Sequence, residues 1–264
     1  MMGEKMTKEK TGTREWADHN ENIQIGCENG CRYCYARHNA VVFRKYCTAE
    51  AWPNPVINQK KVDKNYGYYK GGVMFPSTHD ITPANLSESL AVINKLIDAG
   101  NKVLIVSKPR WSCITVICES IKSNFPNFWQ DKVTFRFTIG STRDEVLKFW
   151  EPNAPCFEER RSCLQYAYKA GFDTSVSCEP FLDPFTPHVY DATCELITDS
   201  FWVGMLRDFD KRVRLEGTSA FERNFYVEKL KKLQEPKMVK MLYQAMNELP
   251  FIKWKDSVRK VIGC

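Results

Sequence analysis

Nowhere in its 264 residues does the chain carry an uninterrupted apolar run of membrane length, which excludes an ordinary spanning helix. The stretch MMGEKMTKEKTGTREW (1–16) is polar and charged and lacks the apolar centre of a secretory leader. No internal repeat or low-complexity tract is present, so a stacked-repeat architecture is excluded as well. Charge bias is also weak. The 38 Lys and Arg exceed the 32 Asp and Glu by six, a surplus that attracts anionic partners only mildly. The expectation is a soluble, cytoplasmic protein without a membrane partner.

The chain does have enough length to bury a sizeable core as one α/β domain, and it has eleven cysteines. Cys113, Cys118, Cys163 and Cys194 are scattered through apolar stretches, and a chain of this size needs no disulfide staples, so the usage reads as that of a reducing compartment. Three others are different. Cys27, Cys31 and Cys34 fall in IGCENGCRYCYARH with the spacing C-x3-C-x2-C. A loop this short can wrap three thiolates around three corners of a cubane 4Fe–4S cluster, whereas a cluster held wholly by protein takes four cysteines. One iron would then stay open to a small molecule. An alternative uses His38, four positions after Cys34, to complete a Cys3His zinc site.

Short apolar runs alternate with longer amphipathic ones, the pattern of repeated βα units around a parallel sheet. Strands are expected at 21–26, 71–77, 102–108, 132–140, 173–180 and 200–206. Helices are expected at 34–46, 84–100, 110–125 and 155–171, two of them ending at Gly100 and Gly171, with a short helix after the proline-rich turn that begins at Phe181. Six repeats are too few for a closed eight-stranded barrel and predict an α/β fold of the partial (β/α)6 TIM type with a C-terminal helical extension. The division expected is a polar segment at 1–19, the partial barrel at 20–215 and a helical cap at 216–264. Residues 47–70, with Pro53, Pro55 and several lysines, read as a mobile insertion.

Chemistry on such a fold belongs at the C-terminal ends of the strands, and those ends are polar. They carry Ser77, Thr78, His79 and Asp80, then Ser107 and Lys108, then Arg136, Thr138, Ser141 and Thr142, then Ser177, Cys178 and Glu179. A lysine directly after VLIV needs an anionic partner if it is buried. Basic residues interleaved with Tyr66, Tyr68 and Tyr69 in 59–70 suit either phosphate contact and base stacking or a plain solvated face, as do the lysines of 227–240.

With Tyr33 before the third cysteine, the loop resembles the C-x3-C-x-aromatic-C motif of the radical S-adenosylmethionine (SAM) superfamily. The stretch 132–172, with STHD and VSK upstream, is similar to the radical SAM domain of spore photoproduct lyase-like proteins: a Phe-Arg-Phe-hydroxyl strand, an E-P-x-x-P segment at Glu151, Pro152 and Pro155, and an E-x-R helix. The similarity spans roughly residues 20–207. It implies a 4Fe–4S cluster on Cys27, Cys31 and Cys34 and SAM as cofactor, with Tyr33 beside the adenine. It further implies that Lys108 and Thr138 bind the SAM carboxylate, with Ser107 beside them, and that Ser77, Thr78, His79 and Asp80 line the amino-group side or the substrate. Asp183 and Pro184 would border the pocket. A flavodoxin or ferredoxin would be the reductant.

Two departures separate the chain from the lyase. Ser77 stands where the lyase has its hydrogen-donating cysteine, and a serine O–H is too strong a bond for that role. The long segment that precedes the lyase's cluster loop, and its DNA-engaging C-terminal part, have no counterpart here. Cys178, His79 and Asp80 are the catalytic candidates. The substrate expected is a nucleic acid or nucleotide, or alternatively a small metabolite or peptide in a pocket walled by Phe75, Phe181, Phe185 and Trp202. A third reading is a non-catalytic zinc or iron–sulfur interaction module.

Overall fold

The computed structural model describes residues 10–127 and 129–263; residues 1–9 of the expected polar segment lie outside that range. Nine strands are described: β1 (His19–Asn20), β2 (Gln24–Ile25), β3 (Val56–Ile57), β4 (Val73–Phe75), β5 (Val103–Ser107), β6 (Val133–Thr138), β7 (Asp173–Cys178), β8 (Ser200–Val203) and β9 (Ile252–Trp254). Seven of them form one parallel sheet in the order β1-β4-β5-β6-β7-β8-β9, and β2 pairs with β3 in a separate antiparallel ladder. The sheet is a curled, open half-barrel, with β1 and β9 as its two edges.

The convex side is covered by Leu86–Asp98 after β4, Trp111–Asn124 after β5, and Asp144–Trp150 with Phe157–Lys169 after β6. Strand alternation sorts the residues between the two faces. On β6, Val133, Phe135 and Phe137 join the hydrophobic core with Ile114, Ile117 and Leu164 from the covering helices. Thr134, Arg136 and Thr138 face the hollow and line cavities there. Halfway down that hollow the Arg136 guanidinium lies 5.0 Å from the Trp16 ring and 5.4 Å from the Trp202 ring, and it bonds Ser175 Oγ and Asp199 Oδ2 at 2.8 Å each. A closed barrel fills this volume with branched apolar side chains. Here it is polar.

The expected six strands are therefore seven, for two physical reasons. Residues 21–26 do not enter the main sheet; Gln24 and Ile25 pair with Ile57 and Val56, and the sheet begins instead at His19–Asn20. The C-terminal helical segment also contributes Ile252–Trp254 beside β8. Strands of two and three residues are too short to show a period. Between β6 and β7 the structure has the additional helix Asp144–Trp150, and the helix expected over 34–46 is a single α-turn, Tyr35–Arg37, followed by a π-type segment, His38–Phe43. The 47–70 stretch carries β3 and the helix Gln59–Asp63, and it buries Trp52, Val62 and Tyr66. No helix among the described residues is long and apolar enough to cross a membrane.

Candidate functional site

The cysteine loop leaves β2 through Gly26, whose φ of +95° is natural only to glycine and whose α-carbon passes so close to the next segment that a Cβ would lie 2.6 Å from the Trp52 carbonyl oxygen. Cys27 N–H then donates to that same oxygen at 3.0 Å. The E-P-x-x-P segment backs the loop from behind: Arg32 N–H donates to Trp150 O (2.8 Å), Asn153 Nδ2 to Glu28 O (2.8 Å), and Asn153 N–H to Asn29 O (3.2 Å). Cys34 caps the following helical turn, its Sγ accepting a backbone N–H at 3.4 Å. All three cysteines are free thiols. Burial, with Asp80 nearby, pushes the Cys27 thiol up to about 12, and burial likewise carries Cys31 above its ordinary value.

Every cysteine of the motif, together with Tyr33, Ser77, Thr78, His79, Asp80, Ser107, Lys108 and Thr138, lines one cavity of about 510 Å³ at the C-terminal ends of the sheet strands. Cys178 does not. It is fully buried in the hydrophobic core, because alternation turns it to the convex face while its neighbours Ser177 and Glu179 face the cavity. Phe75 and Phe181 also lie in the core, and Phe185 stacks on His188; the aromatic rings of the cavity wall are Trp16, Tyr33 and Tyr35. The lysine–tyrosine stretch lies elsewhere. Tyr68 and Tyr69 line a separate cavity with Gly72, Lys102 and Lys132 near the N-terminal ends of β4 and β5.

The Ser77–Asp80 turn is densely bonded. Asn22 Oδ1 accepts from Ser77 N and Thr78 N at 2.7 Å each, and Tyr35 Oη donates to the Ser77 carbonyl. His79 Nε2 accepts from Ile23 N at 3.2 Å while its Nδ1 lies 3.0 Å from Asp80 O. Burial draws the His79 pKa down to about 4. The Asp80 carboxylate accepts from Asn29 Nδ2 (2.7 Å), Ile81 N (2.8 Å), Lys108 N (3.1 Å) and Ser107 Oγ. Asp80 thus ties the cysteine loop to the end of β5.

The anionic partner required by Lys108 is Glu151, whose Oε1 lies 3.8 Å from Lys108 Nζ. Glu151 is fully buried, ion-paired with the equally buried Arg160 at 2.6 Å, and accepts a hydrogen bond from Tyr33 Oη. Burial alone would raise its pKa, but Arg160 and Lys108 outweigh that and hold the carboxyl below its ordinary value. Burial works against the Lys108 charge too, and Cys31, Glu151 and Asp80 together keep its pKa above normal. Thr138 O accepts from Arg160 Nη1 at 3.0 Å, which brings the last residue of β6 into the same network. Motif spacing alone marks Glu151 and Arg160 only as parts of a turn and a helix.

The far wall joins Glu179 to residues from distant parts of the chain. Lys255, 1% exposed, donates to Gly12 O (2.6 Å) and pairs with Glu15 (2.9 Å) and Glu179 (3.6 Å), its Nζ 4.1 Å from the Trp16 ring. Arg207 pairs with Asp256 beside it. These residues come from both ends of the chain and from three strand ends, so no local motif announces them. Among the described residues, no group of three or more His, Cys, Asp or Glu side chains is arranged to hold a metal ion, and His38 is absent from the cavity wall. The Cys3His zinc alternative asks for His38 as its fourth donor, and His38 does not line the cavity that the three thiols share.

No family model and no curated protein sequence matches the chain. Solved structures do. A spore photoproduct lyase variant with bound AdoMet and a dinucleoside spore photoproduct matches with a TM-score of 0.54 at 15% identity, over 95% of this chain and 79% of that one. SuiB of Streptococcus suis bound to the precursor peptide SuiA matches with a TM-score of 0.52 at 9% identity, over 90% of this chain and 49% of that one. The chain thus spans about half the length of SuiB. At such identities the likeness is one of fold: the chain shares the open half-barrel architecture of spore photoproduct lyase and SuiB.

Proposed function

We propose that the protein is a radical SAM enzyme that holds a 4Fe–4S cluster on Cys27, Cys31 and Cys34 and binds SAM in the same cavity. The observation that carries this reading is the shared wall: three free thiols, Tyr33, the Ser77–Asp80 turn, Lys108 and Thr138 surround one space at the strand ends. Three thiolates on the wall of one cavity would leave the fourth iron of a cubane open to a small molecule in that cavity. Buried thiols of raised pKa also need a strong local cation before they ionise.

When bound, the cluster and SAM supply reductive cleavage of the sulfonium and a radical able to take hydrogen from a C–H bond. The chain's own residues do the positioning. Lys108 presents an ammonium to a carboxylate, its charge steadied from behind by Glu151. Tyr33, pinned through its hydroxyl to Glu151, offers a fixed ring face for an adenine. The reductant is a flavodoxin or ferredoxin.

Metal analysis after anaerobic purification and reconstitution tests the reading. About four iron atoms and matching sulfide per chain are expected in the wild type, with loss of the cluster in Cys31→Ala. Stoichiometric zinc without iron would overturn it.

A further inference from the structure

A second cavity, of about 460 Å³, opens at the other end of the sheet, where β4, β5 and β6 begin. The proposed reaction makes no use of it. Register pairs Val103 with Val133, and the ladder runs one residue further back, Val73 N–H donating to Lys102 O (2.8 Å) and Val103 N–H to Lys132 O (2.7 Å). Alternation then turns Lys102, with Leu104, and Lys132, with Thr134 and Arg136, toward the hollow, and all five line the cavity. Gly72, next to Lys102 across the ladder, has no side chain to fill the space beside it. Like charges side by side on neighbouring strands repel. Neither lysine forms an ion pair among the described residues, and Lys132 Nζ donates to the Gly100 carbonyl at 3.3 Å.

Below the lysines lies Arg136, 5% exposed. Its Nε and Nη2 are taken up by Ser175, Asp199 and Ser200, whereas its buried Nη1 has no hydrogen-bond partner. Asp199 is the one carboxylate among the lining residues, and its Oδ2 already accepts from Arg136 (2.8 Å) and from Ser200 Oγ (2.5 Å). The Asp18 carboxylate, packed against Gly71 at the rim, is held by Lys10 at 2.6 Å. Lys102 and Lys132 are thus left as two positive charges that no acidic side chain answers.

Two unanswered ammonium groups above a buried guanidinium suit a dianion, and a phosphate monoester carries close to two negative charges at neutral pH. The geometry points to this cavity as a binding site for a small phosphate monoester that carries a flat ring, a molecule of the size of a mononucleotide. Its volume falls within the range of small-molecule sites, about 300–1,000 Å³. Aromatic faces for the ring are at hand: Tyr68, 70% exposed, stands at the rim beside Gly100, and Trp16 forms the inner wall. The tyrosines and lysines of 59–70 divide accordingly. Tyr68 and Tyr69 belong to this cavity, whereas Lys60, Lys61 and Lys64 do not line it. Nothing in the site depends on the cluster, so cluster-free protein serves to test it.

The test is calorimetric titration with uridine 5′-monophosphate, uridine and inorganic phosphate across a salt series. The nucleotide should bind the wild type at low salt, more tightly than inorganic phosphate, lose affinity as salt rises, and exceed uridine by about tenfold or more. A Lys102→Ala/Lys132→Ala double variant should bind it about tenfold more weakly while unfolding in urea at the wild-type midpoint. Should that variant prove less stable, Lys102→Glu, at an exposed position, decides by the same comparison. Lys237→Ala/Lys240→Ala, exposed on the helix Pro236–Met246 and outside the cavity, should bind like the wild type. Failure of the nucleotide to bind, equal binding by the Lys102 variants and the wild type, an equal loss in the Lys237/Lys240 variant, or uridine binding as tightly as its monophosphate would each overturn the assignment. Inorganic phosphate binding as tightly as the nucleotide would refute the ring contact.

Discussion

His79 sits in the cavity wall as a neutral ring with both nitrogens occupied. Ile23 N–H points at Nε2, so the ring proton sits on Nδ1 and is donated to the Asp80 carbonyl. Burial strips the charged ring of its hydration, which is why its pKa falls to about 4. In the unfolded chain the same ring takes its proton near 6.5, so between these values the unfolded state binds more protons. Stability must then fall as pH is lowered through that window, by about 3 kcal/mol in all at about 1.4 kcal/mol per unit. Urea unfolding of the cluster-free protein should show this slope, and His79→Gln should flatten it; equal slopes in the two proteins would contradict the assignment. The residue was visible in the sequence as a polar group at a strand end. Its bond from Ile23 was not, because the two residues, 56 positions apart, become neighbours only in the folded chain. The same holds for Lys108, whose need for an anion follows from its place after VLIV, whereas Glu151 as that anion follows only from the fold.

Among the elements, β5 to β8 were legible because each is long enough to alternate, and on β6 the alternation Val-Thr-Phe-Arg-Phe-Thr separates core from hollow residue by residue. β1 and β9, at the two edges, have two and three residues and no period to read. The cysteine loop belongs to this scale as well, since its course depends on how β2, β3 and the 149–153 segment enclose it. Gly26 is its tightest point: an alanine Cβ would meet Trp52 O at 2.6 Å and Pro55 Cα at 3.0 Å, at a φ of +95°. Gly26→Ala should cost more than about 1 kcal/mol in urea unfolding and displace Cys27 from its bond to Trp52 O. Iron uptake on reconstitution should drop with it. Wild-type stability together with wild-type iron content would show that the loop is not constrained there.

Over the whole molecule, the half-barrel turns a polar hollow toward one cavity, and the two ends of the described chain meet across its wall. Glu15 pairs with Lys255 and Arg259 and accepts from Asp256 N–H at 3.0 Å, fastening the N-terminal 3-10 turn to the segment after β9. Joined to this, Trp16 and Lys255 form a wall facing the cysteine loop, and that meeting of distant residues is what a single sequence hides. The cysteines, Tyr33 and Lys108 were legible because a spacing, an aromatic neighbour and a buried charge each imply a local chemistry. The proposed function requires this cavity to bring a cluster with one open iron against SAM. It is tested most directly by incubating the reconstituted, dithionite-reduced protein with SAM under anaerobic conditions and assaying 5′-deoxyadenosine and methionine. The wild type should yield both products and Cys31→Ala neither; a wild-type protein loaded with its cluster that leaves SAM intact, or a Cys31→Ala variant that cleaves it, would overturn the proposal.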